Sequence, residues 1–414
     1  MTRAHAAAAL LLAAAAASAE EPAAPRPRPT VELGGELSAV ASEGLGALDA
    51  YELPRVSLRP ARERTFSLSV RQSRLHAEAA LPSGGLLAGA ALRARLELDF
   101  AGGSAPAASA TGAGAAFPQP QPRLREAWAE ARLDGPSHLT LLAGQAPGLF
   151  AGPRQADSVG HRAVARFSGA GDLSRRAPQL RLAATFGGPL EVELAGAVLA
   201  PLDPHLTVVP SSANPTPVGT RGGAPDAEAR AALAWRGEGR SAVVGLSGHA
   251  GRQRYRLDGL VGKPDGALDG WGGALDARLE LQPFALVGAA WAGKNLGALG
   301  TGVSSATLWT DATSGGLIAV TGVEARGAWA QLQWLALPAL TVLAGGGQES
   351  ASRAGLPTGD YQWKCGQLSG GLVAELGAGW RAGLEGTGYW TRTTAAAGGR
   401  TNSTQLEVGL LAAF

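Results

Sequence analysis

Cysteine, lysine and long apolar segments are what this sequence has least of. One cysteine occurs in 414 residues, so no intramolecular disulfide can form. Lysine occurs three times and arginine carries nearly all the positive charge, while a formal net charge of +2 is too small to indicate a nucleic-acid partner. Beyond residue 19, no uninterrupted apolar stretch approaches the roughly 18 residues that a spanning helix needs, which excludes a helical membrane protein.

The first residues have the pattern of an export signal. Arg3 and His5 form a basic start, residues 6–17 form an apolar core, and Ala17-Ser18-Ala19 supplies the small residues of a cleavage site. We therefore expect residues 1–19 to be a signal peptide. The alternative is a short helix that stays attached, but no stop-transfer segment follows. Residues 20–30 are rich in proline, and we expect an extended periplasmic tether.

Glycine is abundant, with 60 residues, and apolar residues alternate with polar ones. In the run 91–100, leucine, alanine and phenylalanine occupy one phase while arginine, glutamate and aspartate occupy the other. The same alternation returns in 271–281 and 404–414. A period of two places the two sets on opposite faces of a β-strand. Glycine at this level suits strands, turns and barrel bends better than helices.

Short and long links between these runs alternate along the chain. The short links are 82–85, 134–137, 187–189, 236–240, 282–283, 336–339 and 377–379. The long links are 43–64, 101–121, 148–177, 201–226, 251–270, 294–315, 349–362 and 394–402. Outer-membrane barrels have this alternation, with short periplasmic turns and long external loops. We therefore predict an all-β, transmembrane antiparallel barrel of about 16 strands over residues 31–414.

The ends of the chain and two tryptophans agree with a closed barrel. In lipid every backbone N–H and C=O must be paired, so residues 31–42 and 404–414 are expected to meet and close the sheet. Trp380 and Trp390 are ten residues apart in one phase. Ten tilted strand residues rise roughly 23 Å, about the height of the apolar band between two aromatic girdles. A barrel of this size holds water, and residues 148–177 form a candidate constriction loop.

Several short motifs resemble the DcaP-like family of trimeric outer-membrane porins. They are Arg71-Gln72-Ser73-Arg74-Leu75, Leu96-Glu97-Leu98-Asp99-Phe100, Arg123-Leu124-Arg125-Glu126-Ala127-Trp128, Leu142-Ala143-Gly144-Gln145 and Arg176-Ala177-Pro178-Gln179-Leu180-Arg181. The similarity extends over residues 31–200 and then continues as pattern only. It implies a 16-stranded barrel, a homotrimer in outer-membrane lipid, and uptake of small, often anionic, organic solutes.

Arginine dominates the water-facing phase of the first half. We predict a set of pore-lining or solute-binding residues: Arg71, Arg74, Arg93, Arg95, Arg123, Arg125, Arg162, Arg166, Arg176, Glu97 and Asp99. Like charges in a narrow pore lower the barrier for the opposite ion, and guanidinium binds carboxylate and phosphate in a fork geometry. One hypothesis is a porin for passive diffusion of small anionic solutes. The other is an ordinary solvated wall in which acidic neighbours cancel each arginine.

Other functions find less support in the residues. A barrel with an enzymatic or structural role and no selective pore stays open as an alternative, although no nucleophile elbow accompanies a Ser-His-Asp order. A secreted soluble β-propeller would need regular repeats and would not explain the alternating links. The histidines show no metal-ligand spacing, and we expect no metal and no cofactor. Cys365 lies in the polar phase of its strand and is either a reactive lumenal thiol or an inert one.

Overall fold

The computed structural model describes residues 29–48, 56–84, 87, 89–102, 120–135, 137–152, 156–162, 164–201, 223–255, 266–303, 306–310, 317–353, 356, 361–394 and 399–414. The proposed signal peptide and nearly all of the tether lie outside these residues. The described residues contain nineteen strands: β1 Thr30–Leu48, β2 Ser57–Ser69, β3 Arg74–Leu81, β4 Ala90–Gly102, β5 Gln121–Leu133, β6 Ser137–Pro147, β7 Arg176–Gly187, β8 Leu190–Leu199, β9 Asp226–Gly237, β10 Arg240–Tyr255, β11 Gly266–Leu281, β12 Phe284–Lys294, β13 Ala306–Thr310, β14 Leu317–Gly322, β15 Glu324–Leu337, β16 Leu340–Ala351, β17 Gln362–Gly377, β18 Trp380–Thr393 and β19 Arg400–Ala413.

Seventeen of these strands form one closed antiparallel sheet. Apart from β2 and β3, consecutive strands of the ring pair with each other, with β12 joined directly to β15. β1 pairs with β19 to close the ring, with Ala39 opposite Leu410. Strands β2 and β3 pair with successive halves of β1 and are separated by a bend at residues 70–73. They therefore act as one bent strand, and the predicted 16-stranded barrel is confirmed. Closure leaves no sheet edge unpaired, as lipid requires.

The side chains of the barrel alternate between the outer face and the lumen. In β19, every second residue from Thr401 to Leu411 is buried, and the residues between them are exposed. Large apolar side chains on the outer face include Leu33, Phe66 and Leu68, which are 80%, 73% and 71% exposed. Lipid offers these surfaces an apolar solvent, so their exposure to water in isolation identifies the membrane-facing side. No helix within the described ranges is both long and apolar enough to cross a membrane.

Several predicted link boundaries are wrong, because the strands extend beyond the apolar band. β1 continues to Leu48 and β2 begins at Ser57, inside the predicted link 43–64. β10 and β11 likewise extend into the predicted link 251–270. The link that begins at residue 294 contains a separate hairpin, β13 paired with β14. These extensions hold only isolated large apolar residues, such as Leu45 and Leu268, and backbone pairing carries the sheet beyond the point where the regular apolar alternation ends.

The long link between β6 and β7 folds into the barrel. We call residues 148–175 the constriction loop; β7 begins at Arg176, so the predicted range 148–177 is two residues too long. Phe167 and Ala170 in this loop are fully buried and pack against Val287 of β12 and Trp329 of β15. Val159 packs against Leu343, Val373 and Leu411 of β16, β17 and β19. The buried apolar clusters of the described residues are therefore the contacts between this loop and the inner wall.

Candidate pore constriction

Inward-facing carboxylates hold the constriction loop against one side of the barrel. Glu228 of β9 accepts the N–H of Leu149 at 2.6 Å. Glu349 of β16 accepts the N–H of Gly171 at 2.9 Å. Such charge-assisted bonds are stronger than neutral ones, and each also satisfies a buried backbone donor. We call β9–β12 and β15–β19 the loop-covered wall. The negative charge of this wall is thus directed at the loop.

Glu385 and Glu407 make the densest part of this attachment. Glu385 of β18 accepts the hydroxyl of Ser158 at 2.7 Å and the N–H of Val159 at 2.8 Å. Glu407 of β19 lies 3.1 Å from Nε2 of His161. Both carboxylates are almost completely buried. Because an unpaired buried charge is costly, these two acids fix the middle of the loop in place.

Arg166 completes this attachment and corrects one prediction. Its guanidinium lies 3.1 Å from Glu385 and 2.8 Å from the ring of His161, and the residue is only 1% exposed. The predicted pore-lining role for Arg166 is therefore wrong, because the side chain points from the loop into the wall and away from the water-filled space. Arg162 is also drawn to a wall carboxylate, that of Glu36 on β1.

Small residues let the loop approach the sheet backbone. Gly171 has a φ of +105°, and a Cβ there would lie 2.6 Å from the carbonyl carbon of Ala328 on β15. A Cβ on Gly347 of β16 would collide with the carbonyl oxygen of Ala170. Glycine alone fits both positions, since it tolerates the left-handed conformation and leaves room for backbone contact.

The bend between β2 and β3 forms the last attachment of the loop. Gln72, 1% exposed, accepts the N–H of Arg162 at 2.6 Å and donates its amide to the carbonyl of Gly160. At the same bend, the hydroxyl of Ser73 accepts the N–H of Ser38 from β1 at 3.0 Å. The motif Arg71-Gln72-Ser73-Arg74 therefore bends one strand so that a glutamine can bind the loop.

Arginines on β3–β7 form the facing side of the lumen, which we call the arginine wall. Arg125 lies 2.8 Å from Glu97 and 2.9 Å from Asp99. Arg95 also contacts Glu97, at 2.5 Å, and Arg123 contacts Asp99 at 2.6 Å. Shared carboxylates hold these guanidinium groups in fixed positions, because each pair restrains the next. Arg95 also contacts Glu78 and Glu126, which bring Arg93 and Arg176 into the network. The network therefore holds five arginines and four acids, which leaves one positive charge in excess.

Three further arginines of this wall have weaker or no acidic partners. Among the described residues, Arg74 and Arg181 form no ion pair, and the nearest carboxylate oxygen to Arg176 is that of Glu126, 3.8 Å away. Arg181 is held instead by Oε1 of Gln179, at 2.9 Å from Nη2. Arg74 and Arg181 can therefore contribute positive potential to the lumen without an ion-paired carboxylate, and the charge of Arg176 is only weakly offset by Glu126.

The two walls enclose a cavity of about 290 Å³. Arg74, Arg95, Glu97, Arg125, Glu126 and Arg176 line it on one side. Residues of the constriction loop, including Phe150, Asp172 and Arg175, line it on the other, together with Glu228. Burial, together with the adjacent carboxylate of Glu349, raises the pKa of Asp172 to about 8. At neutral pH Asp172 is therefore mostly protonated and adds little negative charge.

The structure separates the predicted site residues into groups. Five of them meet at the cavity: Arg74, Arg95, Arg125, Arg176 and Glu97. Arg93 pairs with Glu78 and its side chain is half exposed, so it lies away from the cavity. Arg71 is also away from the cavity and donates to the carbonyls of Ala101 and Gly102 at the end of β4. Arg123, Asp99 and Arg162 contact their own partners and do not line the cavity.

Some cavity residues were outside the predicted set. Glu228 sits in the inward phase of β9, and that phase was the available signal. Glu126 belongs to a quoted motif and lines the cavity beside Arg125. Phe150 and Leu299 had no sequence signal, since they reach the cavity through the folding of links. Alternation identifies the face of a strand, but only the three-dimensional arrangement shows what lies opposite.

Burial describes the environment of Cys365. The thiol of Cys365 faces inward on β17, is fully buried and lies 3.3 Å from the carbonyl of Gly302. A buried thiol of this kind is inert toward large reagents. In the part of the chain that the structure describes, no three His, Cys, Asp or Glu side chains converge as a metal site.

Comparisons with known proteins identify the fold. No protein-family profile and no curated protein matches the sequence. Among solved structures, the chain is similar to the outer membrane channel DcaP of Acinetobacter baumannii, with 15% identity over 93% of this chain and 97% of that chain and a TM-score of 0.70. OprB of Pseudomonas putida has 10% identity over 93% and 94% with a TM-score of 0.55. OmpT of Vibrio cholerae, expressed in the outer membrane, has 8% identity over 93% and 98% with a TM-score of 0.51. The chain therefore has the DcaP-like porin fold.

Proposed function

We propose that this protein is an outer-membrane porin for passive diffusion of small hydrophilic solutes, with a preference for anions. The observation that carries the proposal is the unequal use of charge on the two sides of the lumen. Acids of the loop-covered wall, Glu228, Glu349, Glu385 and Glu407, bind the constriction loop. Arginines of the other wall line the opening. An anion entering the cavity therefore meets guanidinium groups and few free carboxylates.

The chemistry of the opening suits small carboxylates or phosphates. Arg74 and Arg176 both line the cavity and lack a close acidic partner among the described residues. Guanidinium presents a rigid fork of N–H donors that matches a carboxylate. A cavity of about 290 Å³ is the size of a site for a small organic molecule. The same side chains at a water-filled opening bind weakly enough for release, as conduction requires.

Reversal potentials in a planar bilayer test this function. Purified full-length protein is reconstituted and a KCl gradient is applied across the membrane. We expect discrete conductance steps and a reversal potential with the sign of chloride preference. A stable pore that prefers potassium would contradict the anion preference, and a heat-shiftable barrel without conductance would contradict the porin function itself.

The location and assembly of the protein are part of the proposal. Residues 1–19 would direct export, and the outward apolar surface would place the barrel in outer-membrane lipid. We propose a homotrimer, supported by the concentration of the most exposed apolar side chains on β1 and β2, where Leu33, Phe66 and Leu68 lie. Light scattering of the detergent-solubilised protein measures its mass, and a monomer at all concentrations would contradict the trimer.

A further inference from the structure

Four basic side chains lie in one line on the outer face of the barrel. Arg326 on β15 is paired in register with Ser350 on β16, and Ser350 is paired with Lys364 on β17. Lys364 is paired with Arg392 on β18, and Arg392 with Arg400 on β19. We call Arg326, Lys364, Arg392 and Arg400 the basic row. With strands about 4.8 Å apart, five strands place the row over roughly 19 Å.

The basic row faces the membrane side and not the lumen. Arg392 is in phase with the outward Leu384 and Trp390, and Arg400 is in phase with Leu406. Lys364 is in phase with the outward Leu368, which is 66% exposed. Arg326, Arg392 and Arg400 are exposed and Lys364 is half-buried. The row is therefore separate from the arginines of the cavity.

The position along the barrel axis matches the level of lipid headgroups. Trp390 lies one step toward the membrane centre from Arg392, and Trp380 lies at the opposite end of the same strand. Aromatic girdles mark the two edges of the apolar band. The row lies just beyond the girdle at the end where the long links occur, which is the external end of such barrels. Phosphates of outer-leaflet lipids are found at this level.

The row lacks internal compensation. Among the described residues, none of the four side chains forms an ion pair, and Arg400 donates instead to the amide of Asn402 at 3.1 Å. The described outward-facing carboxylate of these five strands at this end is Glu324, which is in register with Lys294 on β12. Like charges directly opposite each other on neighbouring strands are destabilising. An anion bound along the row would remove this repulsion.

An apolar groove begins beside the row. It measures about 580 Å³, and Arg326 and Ser350 lie at its edge. Outward residues Leu275, Ala292 and Ala328 form part of its surface. Small side chains there leave a depression in a surface that is otherwise covered by leucine and aromatic residues. The groove has the shape and polarity to take an acyl chain whose phosphate lies at the row.

We propose that the basic row and this groove bind a phosphorylated lipid of the outer leaflet. The row would bind the headgroup phosphates and the groove would bind an acyl chain. Two phosphates on one lipid fit a row about 19 Å long better than one. A second copy of this chain is a poorer occupant, because the trimer contact is proposed at β1 and β2 and a two-fold contact through the row would place like charges together. The proposal is independent of which solute passes through the pore.

The test compares lipid binding to matched variants. The triple variant Lys364→Gln, Arg392→Gln, Arg400→Gln removes three charges of the row. The control Arg64→Gln removes an outward arginine that is already paired with Glu43. Full-length protein in a phosphate-free detergent is titrated with bisphosphorylated lipid A, monophosphoryl lipid A and inorganic phosphate, and bound lipid is counted by native mass spectrometry. Heat-shifted gel mobility and conductance verify that each variant is a folded pore.

The expected result follows from the charge removed. Each basic residue near an anionic surface contributes about 1 kcal/mol, or roughly fivefold in affinity. The triple variant should therefore bind bisphosphorylated lipid A about 100-fold more weakly, while the control stays within about twofold of the parent. Equal binding to the folded triple variant would overturn the proposal. If inorganic phosphate competed as well as the lipid at equal phosphate concentration, the choice of a lipid as occupant would be overturned. Displacement of the lipid by self-association of the chain would overturn it too.

Discussion

The two inner walls of this barrel carry similar charges and use them differently. On the loop-covered wall, Glu385 and Glu407 are buried under the constriction loop and bind its serine, histidine and arginine side chains. On the arginine wall, Glu97 and Asp99 are equally buried, but they bind Arg95, Arg123 and Arg125 of their own wall and not the loop. The difference shows that net charge alone does not describe a pore; what matters is which charges the tertiary contacts leave facing water.

The largest expected effect comes from releasing the loop. Glu385→Ala removes the acceptor of Ser158 and Val159 and leaves Arg166 buried with a lost partner. Breaking a buried pair in this way costs about 3–5 kcal/mol, enough to detach the middle of the loop. Single-channel recordings should show larger and noisier conductance, and a small charged thiol reagent should label Cys365 faster.

A carboxylate outside the attachment serves as the control for this experiment. Glu191→Ala removes an acid at the periplasmic end of β8 that pairs with the exposed Arg236 at 2.8 Å. Exposed pairs contribute about 0–1 kcal/mol, so conductance and labelling should match the parent. If Glu385→Ala also matched the parent in both measurements, the loop would not depend on the acids of its wall.

The next effect concerns selectivity. Arg74→Gln and Arg176→Gln each remove a guanidinium that lines the cavity without a close carboxylate. A unit charge about 4 Å away contributes roughly 1 kcal/mol in water, so each change should lower the anion-to-cation permeability ratio about fivefold. Arg132→Gln, in a pair with Asp134 at a periplasmic turn, should leave the ratio unchanged. Reversal potentials give the permeability ratios of all three variants. Ratios equal to that of the parent would show that Arg74 and Arg176 do not contribute to selectivity.

A smaller effect should appear as the pH is raised. The pKa of Asp172 is about 8, above its ordinary value, so the group is neutral below that pH and becomes negative above it. Raising the pH from 6.5 to 9 should therefore lower the anion preference, by about threefold if the charge acts across the width of the cavity. Asp172→Asn should show no such change over the same range. Anion preference that rises with pH in the parent would contradict this assignment.

The smallest effect is expected for a predicted site residue outside the cavity. Arg93 pairs with Glu78, and its side chain is 50% exposed. Arg93→Gln leaves Glu78 in contact with Arg95 at 3.3 Å. Because exposed pairs contribute about 0–1 kcal/mol, permeability ratios should change by less than about twofold. A change as large as that for Arg74→Gln would show that the arginine wall acts as a whole and not through its unpaired members.

Much of the barrel could be predicted from residue alternation, because a strand in a membrane has one face in lipid and one in water. Runs such as 91–100 and 404–414 show this pattern, and both are strands in the expected phase. Link boundaries were less certain, since β1 continues to Leu48 through residues with no clear apolar phase. The hairpin of β13 and β14 lies inside a predicted link for the same reason, since backbone pairing holds it together outside the membrane pattern. Hydropathy reports the membrane, whereas backbone pairing continues beyond it.

The candidate site could be predicted only in part. Arg74, Arg95, Arg125 and Arg176 were found because inward phase and charge are properties of the sequence. Arg166 was misplaced because the direction of a loop side chain depends on which wall the loop meets. Gln72 was visible as part of a motif, yet its contact with Gly160 and Arg162 depends on the path of a loop that leaves the sheet at β6, three strands along from β3.

By itself the sequence determined a closed barrel with alternating faces, because period-two patterning leaves a membrane strand no other stable arrangement. It also predicted arginine in the inward phase of β4 and β5. Only the tertiary structure decided which charges remain available. The constriction loop takes up the acids of one wall by burying them, and burial against specific partners is a property of contacts between residues far apart in the chain.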